Sequence, residues 1–410
     1  MGLHKYKPLP SGRMGILWTL STIREAALIE FGCMGHMLYA RVFLNRTGAA
    51  NACKLYSTHI DETDIALGGI ERIRKTIAEV IAKDKPRVIF MIPSSVPEII
   101  GTDLFAICQE IQPDFPEARL IPFAFGGFQV SMHKGVEETL LRLARVLPVK
   151  RERTEKPTYN IIGSCADLYR FQEDAGEIVR LLKGTFNMEP LCIMTSDTSL
   201  RDMEQMGGAH FNIVIRREGK PCARHLEETF GTPYFCGRPY GIQGTKEWLL
   251  NIGEKTGLSI DKDFVEHETA YAMERLTPVL PYFRHIGRMH PDEAVISLGG
   301  HADVVKGILT FAGRELFFSK GICWCDCPDM HSEDLPYYTE KEWEPAVKSI
   351  DKGILMGSGE VVKLAGSSRN MQIANPDDKW NLYSFGPPFV GFRGAVYLAE
   401  LWINENINIH

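Results

Sequence analysis

The sequence has no run of about 18 apolar residues, so no membrane-spanning helix is expected. The start, Met1-Gly-Leu-His-Lys-Tyr6, has no apolar signal core, and Tyr6 breaks the myristoylation pattern. No Gly-Lys-Ser/Thr phosphate loop and no complete Gly-x-Gly-x-x-Gly follows a strand pattern, which excludes the usual nucleotide loops. There is no basic stripe. The 46 basic residues face 52 acidic ones, a net charge of −6, which argues against a nucleic-acid partner. Low-complexity tracts and short internal repeats are missing too. With 44% hydrophobic and 24% charged residues, disorder and coiled coil are also excluded. A cytoplasmic globular protein, binding neither membrane nor nucleic acid, is expected.

What is present is an alternation of short apolar runs and amphipathic stretches over 410 residues. Strand candidates are Arg87–Pro93, Tyr159–Ile162, Leu191–Met194, Phe211–Ile215, Ala294–Leu298, Leu316–Phe318 and Gly353–Met356. Ile70, Ile73, Ile77, Val80 and Ile81 keep helical spacing, as do Ile178, Val179, Leu181, Leu182 and then Val304, Val305, Ile308, Leu309. Such alternation predicts an α/β chain of parallel sheets with helices on both faces. The charged, apolar-poor stretch Lys150–Pro157 and the proline-rich Leu276–Pro281 suggest boundaries. Three Rossmann-like, doubly wound domains follow, at about 1–155, 156–275 and 276–410. Gly163-Ser164, Thr195-Ser196 and Gly299-Gly300-His301 end strands, and ligands of open parallel sheets bind at such carboxyl ends.

Ten cysteines, kept reduced in the cytoplasm, suit either packing or metal chemistry. Cys323-Trp-Cys-Asp-Cys327 is the sharpest local feature. If 315–327 is one strand, Cys323, Cys325 and Cys327 share a face. Alternate residues about 6.6–6.8 Å apart strain a disulfide, whereas a soft metal or cluster suits them. The competing reading is three core cysteines in a strand. Cys33 and His36 in Phe31-Gly-Cys-Met-Gly-His36 also have ligand-like spacing. His285, His290 and His301 read as structural or surface histidines, Cys165 and Cys192 as crevice candidates, and Cys53, Cys108, Cys222 and Cys236 as packing residues.

The ordered motifs resemble the component 1 subunits of the nitrogenase superfamily. Phe31-Gly-x-x-Gly-x-x-x-Tyr39-Ala-Arg41 resembles the family's cluster loop. Thr58–Gly69 resembles its acidic turn ending in Gly-Gly, and Pro93–Asp103 the loop ending Ile-Gly-Asp-Asp. Tyr159–Gly163 opens the second domain, and Gly386–Ala395 resembles the C-terminal Gly-Tyr-x-Gly segment. The resemblance implies three Rossmann-like domains and low-potential oxidoreductase chemistry. It implies an ATP-dependent iron–sulfur reductase that docks transiently, and a second component 1-like subunit in a homodimer or heterotetramer. It further implies an oxygen-sensitive iron–sulfur cluster, 4Fe–4S or larger, between the two subunits. Electrons would end at a metal or tetrapyrrole site between the domains.

The departures from the family are specific. Its three interface-cluster cysteines fall here on Ser11, His36 and Ser95. Cys33 and His36, with a serine oxygen, remain as ligand candidates, or the partner subunit's cysteines hold the cluster. The family's cofactor cysteine falls near Ile215 and its cofactor histidine near Phe389-Val390. The expectation is therefore an oxidoreductase subunit that does not reduce dinitrogen. Alternatives are a cofactor-assembly scaffold or carrier, and a cluster-less structural subunit. A second metal site is expected at Cys323, Cys325 and Cys327.

Overall fold

The computed structural model describes residues 5–6, 9–46, 52–365, 370–374 and 386–407. Most of Met1–Tyr6, read above for targeting, lies outside them. The described strands form three parallel four-stranded sheets. Sheet 1 holds β1 (Ala26–Phe31), β2 (Lys54–Ser57), β3 (Val88–Pro93) and β4 (Arg119–Pro122), in the order β2-β1-β3-β4. Sheet 2 holds β5 (Thr158–Ile162), β6 (Glu189–Met194), β7 (Phe211–Val214) and β8 (Tyr234–Cys236). Sheet 3 holds β9 (Val295–Gly300), β10 (Ser319–Cys325), β11 (Ile354–Ser358) and β12 (Asn370–Ala374). Sheets 2 and 3 repeat the order of sheet 1, as β6-β5-β7-β8 and β10-β9-β11-β12. The α/β, doubly wound fold expected from the alternation is what the chain adopts. Its internal repetition lies in topology, which is why no short sequence repeat announces it.

Burial on both sheet faces explains the apolar strands. Along β1, Ala26 and Leu28 enter one core cluster, while Ala27, Ile29 and Phe31 enter another. β3 divides in the same way, with Val88, Phe90 and Ile92 against Ile89 and Met91. This is the two-residue alternation of a strand, apolar on each side. The smaller cluster is closed by Ile73, Ile77 and Val80 of the helix Ile70–Asp84. The larger one continues through sheets 2 and 3.

Two helices tie sheet 1 to the rest. Gly12–Leu20 is buried along its whole length and packs against Met132–Val146. The approach depends on glycine. A Cβ on Gly135 would lie 2.0 Å from the Gly12 carbonyl oxygen, and one on Gly15 would lie 2.1 Å from that of Met132. The helix Gly391–Ile407 returns to pack on Phe171–Phe186 and Lys262–Leu276, burying Phe392, Ala395, Leu398 and Trp402.

One expected strand is not one. Leu316 ends the helix Ala302–Leu316, and Phe317 is its left-handed cap at φ 64°, donating its N–H to Ala312. Leu316 and Phe318 are buried from a helix end and turn, so their apolar character mimics a strand. β10 begins only at Ser319 and stops at Cys325.

Candidate functional site

Strands β5, β7, β9 and β10 deliver charged or polar side chains to one buried junction. Arg216 follows β7, and Glu218 sits in the 3-10 turn Arg217–Gly219. His301 caps the helix after β9, and Asp326 follows β10. Asp167 comes from the loop after β5. His133 enters from sheet 1's side, in the first turn of Met132–Val146, whose amino end Ser131 caps. Gly163, at φ 101°, lets Arg216 cross the end of β5, because a Cβ there would lie 2.5 Å from the arginine Cγ.

Glu218 is the hub. Arg216 donates to it from Nε at 3.0 Å and Nη2 at 2.9 Å. His133 Nδ1 lies 2.7 Å from Oε1, and His301 Nε2 lies 2.9 Å from the same oxygen. Arg216 also holds both oxygens of Asp167, at 2.8 and 2.9 Å. The second His133 nitrogen, Nε2, meets Asp326 Oδ1 at 2.9 Å. Both His133 nitrogens thus face carboxylates, which only accept, so the ring is an imidazolium. Burial opposes that charge, but Asp326 and then Glu218 outweigh it and raise the His133 pKa well above its ordinary value. Burial likewise opposes charge on Glu218, yet Arg216 and then the histidines hold its carboxyl well below the usual range. Asp326, also against burial, is lowered by His133. His301 Nδ1 accepts the Asp303 backbone N–H at 3.2 Å, so its proton sits on Nε2 and points at Glu218.

His133, Glu218 and His301 form the set of three candidate metal-ligand side chains found among the described residues, with ligand atoms mutually within 4.8 Å. The His133–Asp326 contact matches the carboxylate support of metal-bound histidines. The His301 tautomer does not, because its Nε2 already carries a proton. As arranged, the junction holds protons between carboxylates. The cavity beside it measures about 20 Å³, room for about one water.

The sequence-derived candidates lie in two other places. Cys33, His36, Ser11 and Ser95 lie on segments at the carboxyl edge of sheet 1. Cys33 follows β1, and Ser95 opens a short helix after β3, the neighbouring strand. Ser11 precedes Gly12–Leu20 and bridges Ser131. Arg13 donates to the His36 carbonyl at 3.1 Å and pairs with the buried Glu30. His36 Nδ1 and Ser94 Oγ are buried without partners. Exposed apolar residues rim this edge: Met34, Leu38 and Val42 at helical spacing, then Ile99 and Ile100. One thiol and one imidazole do not make the four-thiolate set of an ordinary iron–sulfur cluster. This chain alone therefore does not fit the cluster its motifs imply.

Cys323, Cys325 and Cys327 are all buried. Their sulfurs point to separate acceptors: the Ile296 carbonyl at 3.9 Å, the Cys327 carbonyl at 3.2 Å and Ser131 Oγ at 3.8 Å. The structure does not gather them into one ligand group, because Cys327 lies beyond the end of β10. Burial raises all three thiol pKa values. Cys165 and Cys192 are fully buried, whereas Cys236 is half-buried and lines an open cleft. Sequence reasoning missed His133 and set His301 aside. The available signal was Gly299-Gly300-His301 at a strand end.

Three repeated sheets with a polar junction at their strand ends define an α/β architecture of the component 1 oxidoreductase type. A family model described as "Nitrogenase component 1 type Oxidoreductase" matches residues 11–310, and the chain belongs to that family. A nitrogenase iron-molybdenum cofactor biosynthesis protein NifE from Clostridium pasteurianum is 25% identical over 260 residues, covering 62% of this chain and 55% of that protein. A light-independent protochlorophyllide reductase subunit from Heliobacterium modesticaldum is 25% identical over 371 residues, covering 85% of this chain and 68% of that protein. The chain thus spans little more than half the length of the NifE relatives. The solved structure titled "Nitrogenase Cp1 at pH 6.5" superposes with a TM-score of 0.78 at 16% identity, covering 100% of this chain and 95% of that one. No helix among the described residues is long and apolar enough to cross a membrane.

A metallocofactor or tetrapyrrole, the second group that the resemblance implies, does not fit the junction itself, where the cavity is about 20 Å³ and is walled by mutually paired charges. Ile215, where the family's cofactor cysteine falls, lines instead the open cleft of about 410 Å³ next to it, whose lining includes the thiol of Cys236.

Proposed function

We propose that this chain is one half of a nitrogenase-like oxidoreductase. It pairs with a second component 1-like subunit whose cysteines supply the thiolates missing at Ser11, His36 and Ser95. An ATP-dependent iron–sulfur reductase delivers electrons to the assembly, and the substrate is not dinitrogen. The observation that carries this reading is the exposed apolar rim formed by Met34, Leu38, Val42, Ile99 and Ile100, beside Cys33 and Ser95. Solvent-facing apolar residues at helical spacing mark a face that another protein covers. This chain's own part in the chemistry is to keep protons on His133 and His301, within hydrogen-bond reach of Glu218.

The closed junction favours a second reading, a cluster-less structural subunit that pairs with an active sister chain, because nothing larger than a water fits there. Similarity to cofactor biosynthesis proteins supports the other alternative, a cofactor-assembly scaffold or carrier. The native mass of protein purified from its source, with and without Leu38→Asp and Val42→Asp, tests the pairing. An oligomer that the two aspartates break into single chains supports it. A wild-type protein that is a lone monomer overturns it.

A further inference from the structure

His133, Glu218 and His301 reach one point from three parts of the fold. His133 comes from the first turn of Met132–Val146, Glu218 from the 3-10 turn after β7, and His301 from the helix cap after β9. Both imidazoles converge on a single atom, Glu218 Oε1, from His133 Nδ1 at 2.7 Å and from His301 Nε2 at 2.9 Å. The two rings lie 5.1 Å apart between centroids, and no side chain of the three is more than 5% exposed. Ligand atoms bound at about 2.0–2.1 Å to a tetrahedral ion stand ~3.3 Å from one another. The two imidazole–carboxylate separations would therefore open by only about half an ångström to admit an ion.

Two further observations at the same point favour a cation. Asp326 Oδ1 lies 2.9 Å from His133 Nε2, which is the carboxylate support that orients a histidine bound to metal through its other nitrogen. The cavity of about 20 Å³, lined by His133, His301 and Asp326, has room for about one water, and a water there completes four-coordination.

We propose that the junction binds a single zinc ion through His133 Nδ1, Glu218 and His301 Nε2, in exchange for a proton. Two imidazoles with a carboxylate suit zinc, whereas calcium and magnesium take oxygen ligands and iron(II) binds such a set more weakly. On binding, His133 loses its Nδ1 proton to solvent and keeps the Nε2 proton for Asp326. The His301 proton moves from Nε2 to Nδ1, which gives up the 3.2 Å bond from the Asp303 backbone N–H. One proton leaves and a doubly charged ion arrives. The added positive charge falls between carboxylates, with Glu218 on the ion and Asp326 behind His133. The ion ties the ends of β7 and β9 to the helix Met132–Val146, so its role is to clamp the three sheets together. The inference goes beyond the proposed pairing of subunits and does not depend on it.

The test uses the full-length chain without a histidine tag, stripped with a chelator and titrated with zinc against a competing chromophoric chelator. One zinc per chain is expected, at sub-micromolar affinity and with a rise in melting temperature. X-ray absorption at the zinc edge should show nitrogen and oxygen ligands at about 2.0–2.1 Å, with imidazole scattering and no sulfur at about 2.3 Å. Asp326→Asn should weaken binding ~10–100-fold, and His301→Gln at least as much, with circular dichroism as the check on folding. Should a variant not fold, the stoichiometry and the spectrum of the wild-type protein decide. No zinc bound at micromolar free zinc, sulfur among the ligands, or binding that a folded His301→Gln leaves unchanged overturns the proposal. None of these outcomes bears on the native mass that tests subunit pairing.

Discussion

Replacing Glu218 by Gln keeps the volume of the side chain and removes its charge. In the native protein this carboxylate accepts from Arg216, His133 and His301 with no solvent contact. The amide can still accept at its oxygen, but its NH2 must then face at least one of three donors. Breaking a buried charge pair by changing one partner costs about 3–5 kcal/mol, because the remaining charge stays buried. Summing the individual charged hydrogen bonds would overshoot, since groups in one network are not additive. The expected loss for Glu218→Gln is therefore about 3–5 kcal/mol. Urea unfolding of the variant and the parent would measure it. The exposed Glu333→Gln, expected to change stability by less than about 0.5 kcal/mol, is the control. A Glu218→Gln loss below about 1 kcal/mol would refute the idea that this network locks the three sheets together.

The same network sets a pH dependence. The His133 pKa is raised, so its contribution is complete below the ordinary 6.5 and is lost as pH rises through the raised value. Glu218 and Asp326 are lowered, so their contributions hold above the ordinary 4.5 and 3.8 and are lost as pH falls through the depressed values. Melting temperature should hold through neutral pH and fall on both sides, and His133→Gln should blunt the alkaline fall. Gly135→Ala should destabilise by about 1–3 kcal/mol, read by the same urea assay, because its methyl would meet the Gly12 carbonyl. Changing Cys323, Cys325 and Cys327 together to Ser should leave the iron content of the assembled protein unchanged, as their sulfurs face separate acceptors. A drop in iron would place a metal there after all.

How much of this was readable beforehand depended on distance along the chain. β3 and β7 were legible because burial on both faces leaves a continuous apolar run. Leu316–Phe318 misled because a left-handed cap can bury the same residues as a strand. The cysteine run attracted attention as a local pattern, yet one-residue alternation says nothing about where a strand stops. The junction was the reverse case. His133, Glu218, His301 and Asp326 are far apart in sequence, and each looks ordinary alone. Only the meeting of three strand-end layers joins them.

The most direct measurement of the central claim is iron and acid-labile sulfide per chain, on protein purified without oxygen, with an EPR spectrum after dithionite reduction. The chain would be measured alone and as isolated with its native partner. The account predicts little iron in the chain alone, and about four irons or more with a reduced-cluster signal in the assembly. About four irons bound by the isolated chain, and lost on Cys33→Ser, would contradict it.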